Sequence, residues 1–373
     1  MDPLTFAVVG CGAIATTHIN ALRSLSEGEA VVVACCDIDA ERARAFAETH
    51  GLRARTFEEV LSDSGIDCVS FCTPSGIHAE QGAMALLAGK HVMLEKPMDI
   101  SLAACDALLA AQEKTDRRLA VISQHRFDPA SQKVHEALVR GEFGRLILAE
   151  ARIPWYRTQE YYDSGDWRGT WALDGGGCVM NQGVHTIDLL RWFCGPPTLV
   201  FARMHTAGHE NIEVEDTLVG TIQFANGVLA TVLVSTAAYP GYTASLGLYG
   251  TQGSAMIDGD ELKVFAVNGG EQFVAKSASL HALQVAMGGT KSATENAGSD
   301  SGKFEQDTFA WGDAHREQFA DFIRCCRDGR TPLVDGREGR NAVELVLALY
   351  ESAKTGQVVH LQGGDAGGVT GVV

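Results

Sequence analysis

Leu4-Thr5-Phe6-Ala7-Val8-Val9 runs directly into Gly10-Cys11-Gly12-Ala13-Ile14-Ala15, and this junction sets the architecture. A short apolar run that stops at a glycine and then takes up helical spacing reads as a buried strand turning into a helix. Gly-x-Gly-x-x-Ala at such a turn is a variant of the dinucleotide-binding fingerprint. Its first glycine makes the tight turn and its second lets the backbone approach a pyrophosphate. The amides opening the helix then face the phosphates. Gly10, Gly12, Ala13 and Ile14 are therefore expected to hold a dinucleotide.

The residues that follow keep the same alternation. Helices are predicted over Ala13–Leu25, Ala40–Thr49, Phe57–Ser62, Ile77–Ala88 and Leu102–Lys114. Strands are predicted over Ala30–Cys36, Asp67–Cys72, His91–Leu94 and Leu119–Ile122. Short apolar strands between helices imply a parallel sheet of βαβ units. Asp37 ends the second strand, 22 residues after Ala15. An acid there accepts the ribose hydroxyls and repels a 2′-phosphate, which predicts NAD rather than NADP. Arg42, one helical turn on, works against that discrimination. Thr73-Pro74-Ser75-Gly76-Ile77-His78 and Glu95-Lys96-Pro97 follow two later strands, at the carboxyl ends where open α/β sheets bind ligands. Thr73, Pro74, His78, Glu95 and Lys96 complete the expected cofactor site. Pro97 biases Lys96 away from helical geometry, toward an extended position beside a nicotinamide.

After about Gly144 the pattern changes. Leu146–Ile153, Leu199–His205, Thr217–Phe224, Val228–Ser235, Ser245–Gly250, Ser254–Asp258 and Glu261–Val267 read as successive strands, and Asn226-Gly227 is a hairpin signal. The expected fold is thus α/β plus α+β: a dinucleotide-binding domain over 1–123, then a second domain over 124–373 with a large, mostly antiparallel open sheet. One helix, Val179–Phe193, enters this second half. Two more, Ala314–Arg327 and Glu338–Lys354, close the chain and return toward the first domain. A loop is predicted over 288–303 and a frayed tail over 363–373.

A chain of 373 residues exceeds one comfortable core, which agrees with two domains. Its 30 basic and 47 acidic residues leave a formal charge of −17, which excludes broad nucleic-acid binding. None of the ten cysteines forms a paired zinc motif, and no His, Asp or Glu cluster has metal-ligand spacing, so no metal is expected. No signal peptide or membrane-length apolar stretch is seen, so a soluble, cytoplasmic protein is expected.

The fingerprint, Asp37, Thr73-Pro74, Glu95-Lys96-Pro97 and the segment Gly175-Gly176-Gly177-Cys178-Val179-Met180-Asn181-Gln182-Gly183-Val184-His185-Thr186-Ile187-Asp188 resemble the Gfo/Idh/MocA oxidoreductases. The resemblance runs from Phe6 to about Leu361. It implies an NAD(P)-dependent dehydrogenase or reductase for a secondary alcohol of a sugar, cyclitol or nucleotide sugar, without metal. It also implies a homodimer or homotetramer built through the second sheet, and catalytic roles for Lys96, Asn181 and His185. The spacing supports those roles, since Asn181, His185 and Asp188 at i, i+4 and i+7 share a helix face. His185 would be the general acid/base and Lys96 would stabilise charge on the reacting oxygen. Asp188 would orient the imidazole. Many relatives carry Asp where Asn181 stands; Asn holds no negative charge but can orient a hydroxyl.

Substrate contacts are expected from Trp155, Arg157, Trp167 and Arg168, and from Arg126 in Gln124-His125-Arg126-Phe127, besides Asn181 and His185. Aromatic faces cover the apolar side of a sugar and arginines bind carboxylates or phosphates. His125 is not read as the base, because nothing in the sequence orients it. Two other functions stay open: an NAD-dependent glycoside hydrolase and a non-catalytic NAD-binding sensor. Glu95-Lys96-Pro97 weighs against the first, and Lys96 with His185 against the second.

Overall fold

The computed structural model describes residues 2–26, 28–165, 167–274 and 312–362. The predicted loop over 288–303, the tail over 363–373 and Asp166 lie outside the described residues.

The first sheet is built from β1 (Leu4–Val9), β2 (Ala30–Cys36), β3 (Arg53–Ala54), β4 (Cys68–Phe71), β5 (His91–Leu94) and β6 (Leu119–Val121). Their order is β3-β2-β1-β4-β5-β6 and every pairing is parallel. Helices α1 (Ala13–Arg23), α2 (Ala40–His50), α3 (Phe57–Ser62), α4 (His78–Leu87) and α5 (Leu102–Gln112) connect the strands. β4 and β5 are buried at every position, which is why both read as unbroken apolar runs. The strand order reverses between β1 and β4, where open sheets of this kind bind ligands. Gly10 lies at that point with φ +91°, and a Cβ there would stand 2.5 Å from the Cys72 carbonyl oxygen. Only glycine fits.

Helix α6 (Pro129–Val139) was not predicted. Its polar residues mask the core stripe of Ala130, Val134 and Ala137, although Pro129 at the first turn is a start signal. The second sheet follows: β7 (Leu146–Pro154), β8 (Pro197–His205), β9 (Thr217–Phe224), β10 (Leu229–Ser235), β11 (Ser245–Gly250), β12 (Gly253–Asp258), β13 (Glu261–Val267), β14 (Gln272–Val274) and β15 (Val359–His360). Its order is β14-β13-β12-β11-β7-β10-β9-β8-β15, and among the described residues only the β7–β10 pairing is parallel. β9 and β10 alternate buried and exposed residues, so one face packs and the other is open.

Short helix α7 (Gln159–Asp163) and helix α8 (Val184–Cys194) lie between β7 and β8. The predicted helix over Val179–Phe193 is in fact a π-turn, Val179–Gly183, running into α8. The π-turn widens the helix and shifts the phase of its faces. It is entered through Gly177, where a Cβ would sit 1.7 Å from the Glu215 carbonyl oxygen. Glu215 accepts hydrogen bonds from the Gly177 and Val179 amides and from the Tyr350 hydroxyl.

The chain then returns. On α9 (Asp313–Asp328), Phe319, Phe322 and Ile323 pack with Phe6 and Ile19 of the first sheet's layer. Helix α10 (Gly336–Thr355) places Val343 in the core with Val69 and Leu94, and Leu345, Val346 and Leu349 in the core of the second sheet. One helix thereby ties both sheets together.

Candidate active site

A cleft of about 1250 Å³ opens at the carboxyl edge of the first sheet. Gly10, Gly12, Ala13, Ile14, Asp37, Thr73, Pro74, Glu95 and Lys96 line it from one side, and Tyr161, Trp167, Arg168 and Asn181 from the other. A Cβ at Gly12 would meet nothing within 4 Å, so the space over the α1 amino end is open to a ligand's phosphates. These residues fit a dinucleotide. Asp37 Oδ2 accepts the Cys11 amide at 2.9 Å and Oδ1 the Asp39 amide at 2.9 Å, while Asp39, not Asp37, caps α2. Arg42 Nη1 lies 3.6 Å from Asp37 Oδ1. Asp37→Ser keeps an acceptor for the Cys11 amide and removes the charge facing a 2′-phosphate. Its kcat/KM ratio for NADP over NAD is expected to rise on the order of tenfold, about 1.4 kcal/mol. An unchanged ratio in side-by-side assays of both cofactors would show that Asp37 does not read the ribose.

Beneath the cleft, Glu95 anchors the lysine loop. Its Oε1 is 2.9 Å from His18 Nε2, and its Oε2 accepts the Lys96 amide at 3.0 Å. His18 Nδ1 is 2.8 Å from Ser70 Oγ. Burial alone would raise the Glu95 pKa, but the His18 hydrogen bond and charge and the Lys96 charge hold it at about 2. Lys96 Nζ donates to the Asn181 carbonyl oxygen at 3.1 Å and to Asn181 Oδ1 at 3.4 Å. Burial lowers the Lys96 pKa, Arg157 and Arg168 lower it further, and Glu95 and Asp174 oppose them. Asn181 Nδ2 donates to Asp174 Oδ1 at 3.3 Å. The buried Asp174 thus brings a carboxylate next to the residue that lacks one, a feature seven positions away in sequence that spacing does not reveal.

His185 stands behind Lys96, sharing a small pocket with Lys96, Pro97 and Val184. Its pKa is held well below the usual imidazole value, first by burial and then by the Lys96 and His125 charges. The His125 ring lies edge-on to it, 5.4 Å between centroids. On the opposite wall, the Tyr161 ring has Arg168 at 4.5 Å from its centroid and, outside the cleft lining, Arg157 at 4.7 Å. Arg168 also covers Trp167 at 4.4 Å and donates to the Tyr161 hydroxyl at 2.9 Å. Among the described residues neither arginine has a carboxylate partner, and Arg157 Nε is buried without an acceptor. Tyr161 and Asp174 were missed at the sequence level; only the aromatic clustering around Tyr161-Tyr162 hinted at the first.

Four expectations need correction. Arg126 does not reach the cleft: it is 1 % exposed and bonded to Asp188 at 2.7 and 2.6 Å and to Glu338 at 2.7 Å. Asp188 accordingly does not orient His185; its oxygens are taken by Arg126 and Ser123, because the π-turn rotates the polar stripe. His78 does not line the cleft. It is buried, with its ring nitrogens 2.7 Å from the Thr73 and 2.8 Å from the Pro97 carbonyl oxygens, so it pins the two ligand loops together. Trp155 packs against the core of the second sheet and lies under Arg157 at 5.7 Å.

Among the described residues two groups of metal-ligating type do come together: His18 with Glu95 and His315, and His125 with Asp128 and Asp260. His125 and Asp128 are three positions apart, but Asp260 and every member of the first group come from distant segments. In both groups an imidazole already bonds a carboxylate, His18 to Glu95 at 2.9 Å and His125 to Asp128 at 2.7 Å.

Comparison with known proteins agrees with this geometry. Residues 4–123 match the model for an oxidoreductase family with an NAD-binding Rossmann fold. Residues 131–256 match the GFO/IDH/MocA C-terminal domain. The WlbA dehydrogenase from Bordetella pertussis, solved with NADH and UDP-GlcNAcA, is 30% identical, with a TM-score of 0.82 over 96% of this chain and 98% of that one. Myo-inositol 2-dehydrogenase of Thermotoga maritima is 24% identical over 96% of this chain and 99% of its own length. D-xylose 1-dehydrogenase (NADP(+)) 2 of Haloferax volcanii is 26% identical over 96% and 100%. A dinucleotide cleft at the switch point of the first sheet, closed by a lysine loop and a second open sheet, and these matches along nearly the whole chain, make this protein a member of the GFO/IDH/MocA family of NAD-binding oxidoreductases.

Proposed function

We propose that this oxidoreductase interconverts a secondary alcohol and a ketone on an anionic, sugar-like molecule, with residues 1–123 serving the dinucleotide and 124–373 the substrate. The observation that carries the reading is the meeting of Lys96 and Asn181 in the cleft, with His185 outside the cleft lining but sharing a small adjoining pocket with Lys96. NAD bound in the cleft supplies the hydride acceptor. His185, kept neutral by its surroundings, takes the hydroxyl proton. Lys96 donates to the reacting oxygen and stabilises its developing charge. Asn181 fixes the lysine and presents its amide to a neighbouring hydroxyl. Asp37 favours NAD over NADP.

The anionic class rests on Arg157 and Arg168. Two guanidiniums over one tyrosine, with no ion pair among the described residues and beside a lysine, form a local positive site in an acidic protein. They match the planar oxygens of a carboxylate or the oxygens of a phosphate. The Bordetella relative's UDP-GlcNAcA is a molecule of this kind. Reduction of NAD should be followed with neutral hexoses, inositols, hexuronates and nucleotide-linked uronates. Turnover is expected on the anionic members. Arg168→Ala is expected to raise KM for them about tenfold, the loss of one charged hydrogen bond of about 1.5–3 kcal/mol, with a smaller change in kcat. Equal efficiency on neutral sugars, or an unmoved KM, would sink the anionic class.

The open face of the second sheet exposes Ile147, Leu148, Val219, Leu229 and Leu233. Such an apolar sheet face supports assembly into a homodimer or homotetramer. Among the described residues no helix is long and apolar enough to cross a membrane. All ten cysteines are unpaired, which supports a reducing, cytoplasmic setting.

A further inference from the structure

We propose that His125, held by Asp128, is the residue that carries to solvent the proton His185 takes from the substrate. The proposal rests on the reading of His185 as the base. Gln124–Phe127 forms a single 3-10 turn after β6, and Asp128 follows it at the start of α6. Asp128 occupies the N-cap position, where an aspartate normally bonds the first helical amides, yet its side chain caps nothing. It is buried and turned instead to His125 Nδ1 at 2.7 Å. A buried carboxylate that forgoes its helix to fix an imidazole sets that ring's orientation and leaves Nε2 as the atom that exchanges protons.

The two rings are nearly perpendicular, at 89°, and 5.4 Å apart between centroids, a separation that one bridging water spans. His125 is 32% exposed, and Asp260 Oδ1, itself 63% exposed, lies 3.4 Å from its Nδ1. His185, Lys96 and Pro97 line the pocket behind. His125 therefore lies between the half-buried His185 and the surface. Charge favours that direction. His185 is faced by Lys96, Glu95, His315 and His125, and burial with the neighbouring cations makes it a poor place for a proton to stay. His125 is faced by Asp128, Asp260 and Asp188; these carboxylates outweigh its burial and raise its pKa. In each oxidation the carbon loses a hydride to the dinucleotide and the hydroxyl proton passes to His185. His125 releases its Nε2 proton to water and takes the one from His185. No other co-reactant is consumed, and reduction reverses each transfer.

The test uses the full chain with His125→Gln and, separately, Asp128→Asn, which spares α6 because Asp128 caps nothing. In buffer free of small acids and bases, both are expected to lose on the order of 10- to 100-fold in kcat. KM and NADH binding should stay within about twofold, and added imidazole should restore turnover in His125→Gln. Ring NMR of the free protein should show the His185 titration moving to higher pH in His125→Gln, because a neighbouring positive charge is gone. Unchanged kcat, a loss that imidazole does not relieve, or an unmoved His185 titration would overturn the relay. A His185→Ala protein with wild-type turnover would instead overturn the base assignment. The ring titration needs no substrate, so it decides the coupling of the two imidazoles even if every sugar proves inert.

Discussion

Lys96→Met is expected to lower kcat on the order of 10²- to 10³-fold, the usual cost of deleting one donor aimed at a developing negative charge. Methionine keeps the unbranched apolar stem and removes only the ammonium. The loop that carries residue 96 is held by Glu95, which accepts the residue's own backbone amide, so it stays in place. NADH binding, read by fluorescence titration, should therefore survive within about twofold while turnover collapses. The pH profile adds a second signature. In the wild type, burial and the nearby arginines lower the Lys96 pKa, so the alkaline limb should begin below the ordinary lysine range. Burial and adjacent cations lower His185, so the acid limb should lie below the ordinary imidazole value. In Lys96→Met the alkaline limb should vanish. The acid limb should move up, since His185 has lost a positive neighbour. Turnover within tenfold of wild type, or loss of NADH binding, would contradict the assignment.

Arg126→Met should destabilise the protein by about 3–5 kcal/mol, the cost of breaking a buried ion pair from one side. Arg126 follows β6, Asp188 lies on α8 and Glu338 on α10, so one guanidinium joins three elements. Arg191 shares Glu338 at 3.1 Å, and the Arg126 guanidinium lies 5.3 Å from the Trp192 ring centroid. Methionine fills much of the volume but leaves Asp188 and Glu338 buried with too little positive charge. Against burial, which raises it, Arg126 and Arg191 lower the Glu338 pKa. A carboxylate depressed in the fold contributes stability above its unfolded pKa and loses it as pH falls through the folded one. The wild type should therefore lose part of this contribution on acidification, and the variant should lose less. Urea unfolding across pH 4–7 measures both (roughly the window in which carboxylate linkage acts). Since Arg126 does not touch the cleft, kcat/KM per folded molecule should hold. A stable variant with a raised KM would restore Arg126 to the substrate site.

Most of the first sheet was legible because its signals are local. A buried parallel strand is a short apolar run, and β2 and β5 fall where those runs end. Gly10 was legible because its backbone conformation and its approach to Cys72 admit no side chain. Helix α6 was not, since polar residues dilute its stripe. Neither was the π-turn at Val179–Gly183, because an i→i+5 turn leaves the residue pattern looking α-helical. That single widened turn separates Asn181, which meets Lys96, from Asp188, which meets Arg126.

Residue order was thus enough for the strand and helix sequence, the dinucleotide fingerprint and the residue types able to do the chemistry, since each depends on neighbours a few positions apart. The fate of every charged group had to wait for the packed molecule. Arg126 and Arg168 are the same residue type in equally polar stretches. One is buried against two carboxylates from distant helices, and the other, on a cleft wall, bonds the Tyr161 hydroxyl and covers Trp167, with no ion pair among the described residues. His125, unoriented in the sequence, is fixed by Asp128 and set against a histidine sixty positions away. A charge's role follows from the partner and the solvent it finds, and long-range contacts supply both.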